Sequence, residues 1–326
     1  MKLSGAKILV TGAAGFIGSH LVKHLVEMGA SVTAIDNLWL GRMDALRPCI
    51  GDIDFRRMDI RDADALRRVA KNKDVIVNLA ANSSVPYSVT HPVLDFEINA
   101  GGVAGLLDIA RHCGIPHVVQ ASSAAVYGAP EYLPIDEEHP LHPISPYGAS
   151  KLAAEKIGAV FERTYGQRFS ALRIFNAYGP GQRKYVMYDL VRKIPPKNGV
   201  LTMLGRPDYA RDFIFVADVV WSFVALIRSD DGAGTVCNAA TGSQTTIGEL
   251  VDMALRLAGV SDCTIEFTQA SWKGDVPALH GEVSRMRNLL GIVPQTDIAT
   301  GLQLLMAELG AWHPEAAFSA QTAEFD

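Results

Sequence analysis

Short apolar runs alternate with amphipathic stretches along the first half of the chain. Residues 7–11 form a nearly continuous apolar run, which is the pattern of a strand buried on both faces. An amphipathic stretch ends at Met28, and residues 31–35 form the next apolar run. The same rhythm continues and predicts strands over 54–60, 74–79, 117–121 and 169–175 and helices over 63–71, 93–113 and 147–165. Strands that alternate with helices indicate an α/β protein with a parallel, doubly wound sheet.

The rhythm loosens after residue 176. Shorter elements follow, separated by prolines and glycines between residues 195 and 207, as expected for a smaller C-terminal α/β substrate domain. Residues 313–326 are Ala-rich and polar and are predicted to form a flexible tail. The predicted organisation is a dinucleotide-binding domain over residues 1–176, with returning elements near 212–240, and a substrate domain from 177–211 and 241–312.

Composition and charge narrow the possible classes of function. The 326 residues carry a formal net charge of −5, so no basic footprint for a nucleic acid or a membrane surface is indicated. The four cysteines are scattered, without a C-x-x-C spacing, which predicts reduced thiols and no metal site. The N-terminus has no signal-peptide pattern, and the apolar run over 216–227 is too short to cross a bilayer. We expect a cytoplasmic protein with no nucleic-acid or membrane partner.

A glycine-rich loop joins the first predicted strand to the first helix. Gly12, Gly15 and Gly18 let the backbone turn tightly and approach a pyrophosphate, whose charge is stabilised at a helix N-terminus. The next strand ends at Asp36, whose carboxylate suits the hydroxyl groups of an adenosine ribose and repels a 2′-phosphate. This order of strand, loop, helix, strand and acid is that of a Rossmann unit. It predicts NAD rather than NADP as the cofactor, and a tight turn without a ligand is the alternative.

Other residues with chemical potential also follow predicted strands. They are Asp59, Ala80, Ala81, Ser122, Ser123 and Asn176. The carboxyl ends of parallel strands meet at one edge of a sheet, where ligands bind in such folds. The sequence therefore predicts a single ligand-binding edge.

A tyrosine and a lysine are spaced for proton transfer. Tyr147 precedes Lys151 by four residues, so a helix places both side chains on one face, one turn apart. A nearby ammonium favours the phenolate of a tyrosine, whose ordinary pKa is about 10. The pair would accept a proton from a substrate hydroxyl group, with Ser123 as a hydrogen-bonding partner. A solvated helix turn is the alternative, because charged residues are mostly exposed.

These residues lie in longer motifs that resemble the extended short-chain dehydrogenase/reductase family, in its nucleotide-sugar epimerase/dehydratase branch. The motifs follow the family's order over nearly the whole chain and include residues 11–18, 36–38, 78–81, 122–128, 147–151, 173–181 and 211–216. The resemblance, which is to UDP-glucose 4-epimerase-like members, implies a tightly held NAD that is reduced and reoxidised in each turnover. It implies Tyr147 as the base for a sugar hydroxyl group, usually at C4. It also implies that Lys151 binds the nicotinamide ribose and, with the positive nicotinamide ring, lowers the pKa of Tyr147.

The resemblance also implies binding residues and an assembly. The implied cofactor-binding residues are Gly12, Gly15, Phe16, Ile17, Gly18, Asp36, Asn37, Asp59, Ile60, Leu79, Ala80, Ala81, Ser122, Tyr147 and Lys151. The implied substrate-binding residues are Ser83, Ser123, Asn176, Arg211 and Asp275. Arg211 would grip the phosphates, which suit a planar guanidinium. The resemblance also implies a homodimer through the helices predicted over 93–113 and 147–165.

Two alanines after Ser123 indicate which step follows the oxidation of the sugar at C4. Dehydratases that resemble this chain carry an Asp-Glu pair just after the catalytic Ser or Thr, where this chain has Ala124 and Ala125. Alanine can neither abstract the C5 proton nor protonate a leaving hydroxyl group, so the elimination step of a dehydratase is not favoured. The remaining reaction is oxidation at C4 followed by return of the hydride to the opposite face of the sugar. The prediction is an NAD-dependent nucleotide-sugar 4-epimerase acting on a UDP-hexose or UDP-hexuronate.

Two other functions stay open. Acid and base groups from the following loop, where Glu137, Glu138 and His142 are candidates, would allow a 4,6-dehydratase or a 4-ketoreductase. A non-catalytic NAD-binding regulatory protein would also keep the fold. The intact Ser123, Tyr147 and Lys151 argue against a pure binding protein.

The substrate side departs from the family pattern in two places. Trp272 stands where the family usually has an arginine, and residues 182–187 give the following helix a basic start. For that basic start we favour a solvated helix end over contact with a uronate carboxylate or a phosphate. Arg211 itself has an alternative, which is a surface ion pair with Asp212 or Asp218. The sugar and the nucleotide therefore stay open.

Overall fold

The computed structural model describes residues 1–195, 198–229, 234–270 and 275–311. The predicted tail over 313–326 and the departure at Trp272 lie outside these described residues. Within the described ranges, no helix combines the length and the apolar character that crossing a membrane requires.

A seven-stranded parallel sheet forms the centre of the protein. The described strands are, in chain order, β1 (Lys7–Thr11), β2 (Ser31–Asp36), β3 (Ile53–Arg57), β4 (Val75–Asn78), β5 (His117–Ser123), β6 (Arg168–Ile174), β7 (Asn176–Tyr178), β8 (Val200–Met203), β9 (Ala210–Arg211), β10 (Phe213–Phe215), β11 (Val236–Ala239), β12 (Thr245–Thr246), β13 (Thr264–Phe267) and β14 (Ala278–Leu279). The central sheet has the order β11-β6-β5-β4-β1-β2-β3. This order reverses beside β1 and confirms the predicted doubly wound Rossmann sheet.

Helices cover both faces of this sheet. They are α1 (Phe16–Glu27), α2 (Met43–Leu46), α3 (Ala63–Ala70), α4 (Val85–Thr90), α5 (Pro92–Phe96), α6 (Gly102–His112), α7 (Pro146–Tyr165), α8 (Tyr185–Lys193), α9 (Val216–Arg228), α10 (Ile247–Leu257), α11 (Ser284–Leu290) and α12 (Ile298–Glu308). Alternate residues of β1 face opposite layers, since Ile8 packs with Leu21 of α1 and Leu9 packs in the cluster of Leu106 of α6. Burial on both faces explains the continuous apolar runs.

The helix predicted over 93–113 is interrupted. It starts at Pro92, passes through a π-helical turn over Glu97–Gly101 and continues as α6. In this turn the Asn99 amide group donates to Asp95 Oδ1 (3.2 Å) and to Ser150 Oγ (3.1 Å). The contacts belong to a buried polar cluster that no periodicity in the sequence reveals.

The strand predicted over 54–60 is also shorter than expected. β3 ends at Arg57, and the chain turns at Asp59, whose carbonyl accepts the amide of Asp62 (3.1 Å). Conversely, β5 runs two residues beyond the predicted end at residue 121 and carries Ser122 and Ser123 within the sheet. These serines therefore have the fixed positions of strand residues.

A separate hydrophobic cluster fills the smaller part of the molecule. Helices α8, α10 and α12 contribute Leu190, Leu250 and Leu302 to it. Three small sheets flank it, namely β7 with β10, β9 with β12 and β14, and β8 with β13. After residue 212 the chain returns, because α9 packs in the cluster of α1 and β11 pairs with β6. The domain boundaries themselves stay a prediction.

Candidate active site

A cavity of about 800 Å³ opens at the carboxyl edge of the central sheet. It lies between this sheet and the smaller part of the molecule that holds α8 and α10. The structure brings all the residues predicted for the site to its walls. They are Gly12, Gly15, Phe16, Ile17, Gly18, Asp36, Asn37, Asp59, Ile60, Leu79, Ala80, Ala81, Ser83, Ser122, Ser123, Tyr147, Lys151, Asn176, Arg211 and Asp275. Their individual roles stay predictions.

The glycine loop between β1 and α1 leaves no room for a side chain at Gly12 or at Gly18. Gly12 has a φ of 64°, and a Cβ atom there would lie 2.6 Å from the amide nitrogen of Ala80. A Cβ atom at Gly18 would collide with the carbonyl oxygen of Gly12. No side chain caps the N-terminus of α1, so its first amides stay available to a ligand. The loop therefore fits the pyrophosphate of a dinucleotide.

Two carboxylates face the cavity beside this loop. Asp36 is buried, which raises its pKa, and it accepts hydrogen bonds from the amides of Ala14 (3.0 Å) and Leu38 (2.7 Å). A carboxylate has about four acceptor positions, so it can still receive ribose hydroxyl groups. Asp59 accepts hydrogen bonds chiefly from Arg61, which lowers its pKa to about 2. Both groups suit the adenosine part of NAD.

A buried polar ladder beneath the loop was not anticipated. Thr11 donates to Asn78 Oδ1, Asn78 donates to Gln120 Oε1 (2.8 Å), and the Ala80 amide donates to Thr11 Oγ1 (3.1 Å). Thr11 pairs in register with Asn78, and Asn78 with Gln120. The sequence carried one signal for this ladder, which is the presence of polar residues at matching positions of adjacent apolar strands.

The catalytic candidates meet where β5 ends and α7 begins. Ser145 caps α7 by accepting the amide of Gly148 (3.1 Å), which places Tyr147 in the first turn and Lys151 in the next. Lys151 Nζ donates to the carbonyl of Ala121 (3.0 Å) and lies 5.9 Å from the centre of the Tyr147 ring. Ser123 lies close enough to Tyr147 to lower the pKa of its phenol, and both residues line the cavity. The predicted triad is therefore assembled.

Burial dominates the electrostatics of this triad. Burial raises the pKa of Tyr147, and Ser123 only partly opposes this rise. Burial also lowers the pKa of Lys151 to about 8, against the opposing charges of Asp95 and Glu155. In the protein alone, the desolvation of Tyr147 therefore outweighs the effect of the nearby ammonium. That Lys151 and the positive nicotinamide ring together lower the pKa of Tyr147 stays a prediction.

Two buried networks support α7, and neither was predicted. Glu155 forms an ion pair with Arg173 (2.8 Å) and accepts a hydrogen bond from Ser122. Ser150 donates to Asp95 Oδ2 (2.6 Å), a fully buried carboxylate. The first network joins α7 to β5 and β6, and no local spacing in the sequence signals it.

The alternative acid and base groups lie elsewhere. Glu137 accepts the amide of Asn238 (2.7 Å), and both Glu137 and Glu138 form ion pairs with Arg285. Neither glutamate lines the cavity, nor does His142. They are therefore placed for structure rather than for proton transfer to a ligand.

The substrate end is organised around Arg211. Its Nη2 atom donates to Asp275 Oδ1 (2.5 Å), and each of the two side chains is 13% exposed. The alternative partners were wrong, because Asp212 and Asp218 instead accept hydrogen bonds from backbone amides of other loops. Asn176 donates to the carbonyl of Asp212 (3.0 Å). Two residues predicted from separate motifs thus form one pair.

The basic segment before α8 was expected to be a solvated helix end, and this holds only in part, because Arg183 and Tyr185 are exposed whereas Lys184 is half-buried. Lys184 Nζ donates to Ser83 Oγ (2.8 Å), and the Tyr185 hydroxyl donates to the carbonyl of Ser83. Arg183 forms an ion pair with Glu308 (3.4 Å). Lys184 and Tyr185 both line the cavity. The segment therefore forms part of the wall at one end of the site.

Comparison with known proteins gives a consistent family assignment. The family described as GDP-mannose 4,6 dehydratase matches residues 9–305. A UDP-glucose 4-epimerase from Mycolicibacterium smegmatis is 35% identical over 303 residues, which cover 91% of this chain and 96% of the relative.

Solved structures agree with this assignment. A UDP-N-acetylglucosamine 4-epimerase from Methanobrevibacter ruminantium has a TM-score of 0.87 at 29% identity, covering 94% of this chain and 99% of that one. A dTDP-glucose 4,6-dehydratase from Streptomyces venezuelae, with NAD bound, has a TM-score of 0.86 at 29% identity and the same coverage.

Proposed function

The chain belongs to the family of NAD-dependent nucleotide-sugar epimerases and dehydratases, and we propose that within it the protein is a 4-epimerase acting on a UDP-hexose or UDP-hexuronate. The family consists of enzymes that use NAD, so a non-catalytic binding protein is not favoured. Both the choice of 4-epimerisation and the choice of a UDP-sugar belong to the proposal.

One observation carries the choice of reaction. Of the described residues that line the cavity, the carboxylic acids are Asp36, Asp59 and Asp275, and none is a histidine. The first two lie beside the glycine loop, and the third is paired with Arg211. Next to Ser123 the wall is formed by Ala124 and Ala125, which offer no group to remove a C5 proton. This arrangement supports oxidation and reduction at C4 without elimination.

The residues at the reaction centre divide the work of proton transfer. A bound NAD would supply the acceptor and donor of the C4 hydride and, in its oxidised form, a positive charge beside the site. Tyr147 takes the proton of the C4 hydroxyl group and later gives it back, while Ser123 hydrogen-bonds the same oxygen. Lys151 would hold the nicotinamide ribose and would add its charge to that of the cofactor. Together these charges lower the pKa of Tyr147, which burial raises in the protein alone.

The remaining site residues bind and orient the ligands. In this proposal the glycine loop, Asp36 and Asp59 hold the dinucleotide, while Asn176 and Arg211 hold the diphosphate. The ion pair with Asp275 fixes the guanidinium in one orientation. A preoriented guanidinium loses less side-chain entropy when it forms two parallel hydrogen bonds to a phosphate.

The proposal includes a homodimer and a cytoplasmic location. Val93 and Phe96 of α5 are 70% and 54% exposed, and Val160 of α7 is 47% exposed, so these helices carry apolar surface. Light scattering should give twice the mass of the chain, and Phe96→Glu should yield the monomer. The four free thiols support a reducing compartment.

The reaction is tested by proton NMR of the purified protein with UDP-sugars in D₂O and no added NAD. We expect a changed configuration at C4 with no deuterium at C5. Deuterium at C5 together with a 4-keto-6-deoxy product would make the protein a dehydratase. Release of a 4-keto sugar with one bound NAD reduced to NADH for each sugar oxidised would instead indicate a 4-ketoreductase that runs in reverse.

A further inference from the structure

One cation in the cavity has no acidic partner among the residues that the structure describes. Apart from Lys151 in the reaction centre, five cationic side chains line the cavity. Lys184 forms no ion pair with any described residue, whereas each of the other four is paired with a carboxylate. These four are Arg42, Arg183, Arg206 and Arg211. The excess positive charge is therefore concentrated at Lys184.

Lys184 is held in place by neutral contacts. Its Nζ atom donates to Ser83 Oγ (2.8 Å) and lies 5.0 Å from the centre of the Tyr185 ring. Tyr185 has a φ of 75°, a strained value for a residue with a side chain, and its hydroxyl is anchored on the carbonyl of Ser83. The contacts span the cavity from the start of α8 to the loop between β4 and α4. They leave the charge of the ammonium uncompensated.

This bridge lies at the reacting end of the cavity. Ser83 lies in the loop that leads into α4, where Ser88 Oγ accepts the backbone amide of Tyr147 (3.1 Å). The Tyr185 phenol also contributes to the rise in the pKa of Tyr147. In the proposed reaction the C4 oxygen of the sugar lies at Tyr147. The diphosphate is attached to C1, across the ring from C4, whereas C6 is attached to C5, the neighbour of C4. A cation at this end therefore meets a substituent of the sugar rather than the diphosphate.

Resting on the proposed 4-epimerase function, we propose that Lys184 is a specificity-determining residue that binds the C6 carboxylate of a UDP-hexuronate. A carboxylate supplies the missing counter-charge and accepts a charge-assisted hydrogen bond. A lysine suits this task because its point charge sits on a flexible stem. The ammonium can follow the carboxylate when the keto sugar turns its other face to the cofactor.

The test compares two sugar nucleotides that differ only at C6, and UDP, which lacks the sugar. Steady-state kinetics with UDP-glucuronate and UDP-glucose, and calorimetry with UDP, are measured for the wild type, Lys184→Met and Lys184→Arg. Lys193→Met is the matched control, since Lys193 is exposed at the other end of α8 and does not line the cavity. NAD content and melting temperature show that each variant is folded.

We expect Lys184→Met to lower kcat/KM for UDP-glucuronate about thirtyfold, as for a lost hydrogen bond between charged groups. The value for UDP-glucose and the Kd of UDP should change less than about threefold, and Lys184→Arg should restore part of the uronate activity. An equal loss with all three ligands would assign Lys184 to the diphosphate and overturn the inference. Unchanged kinetics with UDP-glucuronate would overturn it as well.

The wild type separates this inference from the proposed function. Epimerisation of neutral UDP-sugars without epimerisation of UDP-glucuronate would overturn the role of Lys184 and leave the 4-epimerase standing. A wild type that epimerises no UDP-sugar would overturn the proposed function, and with it the inference.

Discussion

The cofactor end and the sugar end of the cavity are built in different ways. At the cofactor end, one continuous stretch from β1 to Asp36 supplies the strand, the loop, the helix and the acid. At the sugar end, Arg211 meets Asp275 across 64 residues and Lys184 meets Ser83 across 101 residues. A local motif is visible in the sequence, whereas a contact between distant residues depends on the whole fold. The two ends should therefore respond separately to mutation.

The largest effect is expected at Tyr147, where the two ends meet. Tyr147→Phe removes the group that accepts the C4 proton but keeps the ring, so kcat should fall by about 10³- to 10⁴-fold. NAD content and UDP affinity should stay close to those of the wild type. Tyr165→Phe, at the exposed end of the same helix, is the control. Full activity of Tyr147→Phe would place the base elsewhere.

Gly12→Ala should weaken the binding of NAD and leave the sugar end of the cavity unchanged. The new Cβ atom meets the backbone of Ala80, and the positive φ of Gly12 disfavours any side chain. We expect NAD affinity to fall by about a hundredfold, measured from the NAD content of the purified protein and by titration. Gly51→Ala is the control, since a Cβ atom at Gly51 meets nothing within 4 Å. A variant that retains its NAD would contradict the close approach of the loop to the cofactor.

Arg211→Met is the matching change at the sugar end. It removes the guanidinium and leaves the partly buried Asp275 unpaired, so the Kd of UDP should rise about thirtyfold while NAD content is unchanged. Arg256→Met, on the exposed surface of α10, is the control in the same calorimetric titration. Loss of NAD from Arg211→Met would show that the two ends are not independent.

The smallest effect concerns the pH dependence of stability. Lys151 has a pKa of about 8 in the folded protein and about 10.5 when unfolded, so below pH 8 both states carry its charge and the cost of burial is present in full. As the pH rises through 8, the folded state loses this proton first and stability increases. Between pH 7 and pH 9, the NAD-free wild type should gain about 1 kcal/mol relative to Lys151→Met in urea unfolding. Equal pH slopes for the two proteins would contradict the desolvation of Lys151.

The same contrast explains what the sequence could predict. The parallel sheet, the glycine loop and Asp36 were predictable, because strand burial and loop geometry depend on neighbouring residues. The spacing of Tyr147 and Lys151 placed them on one helix face, but it could not reveal how strongly burial opposes the phenolate. Burial is a property of the complete fold.

Contacts between separate elements could not be predicted. The Glu155–Arg173 ion pair joins α7 to β6, and the buried Asp95 joins α5 to α7 through Ser150. The basic residue Lys184 was expected in solvent, because charged residues usually lie there, and its contact with Ser83 requires the loop after β4 to face α8. Contacts of this kind determine how the side chains are arranged at the sugar end of the cavity.

The central claim is that the hydride leaves C4 and returns to C4 within one site. The most direct test uses a UDP-sugar substrate that carries deuterium at C4, incubated with the wild type in ordinary water. The account predicts an epimerised product that keeps its deuterium at C4, with no NADH accumulating at equilibrium. Loss of the deuterium to solvent, or a released keto sugar with reduced cofactor, would contradict it.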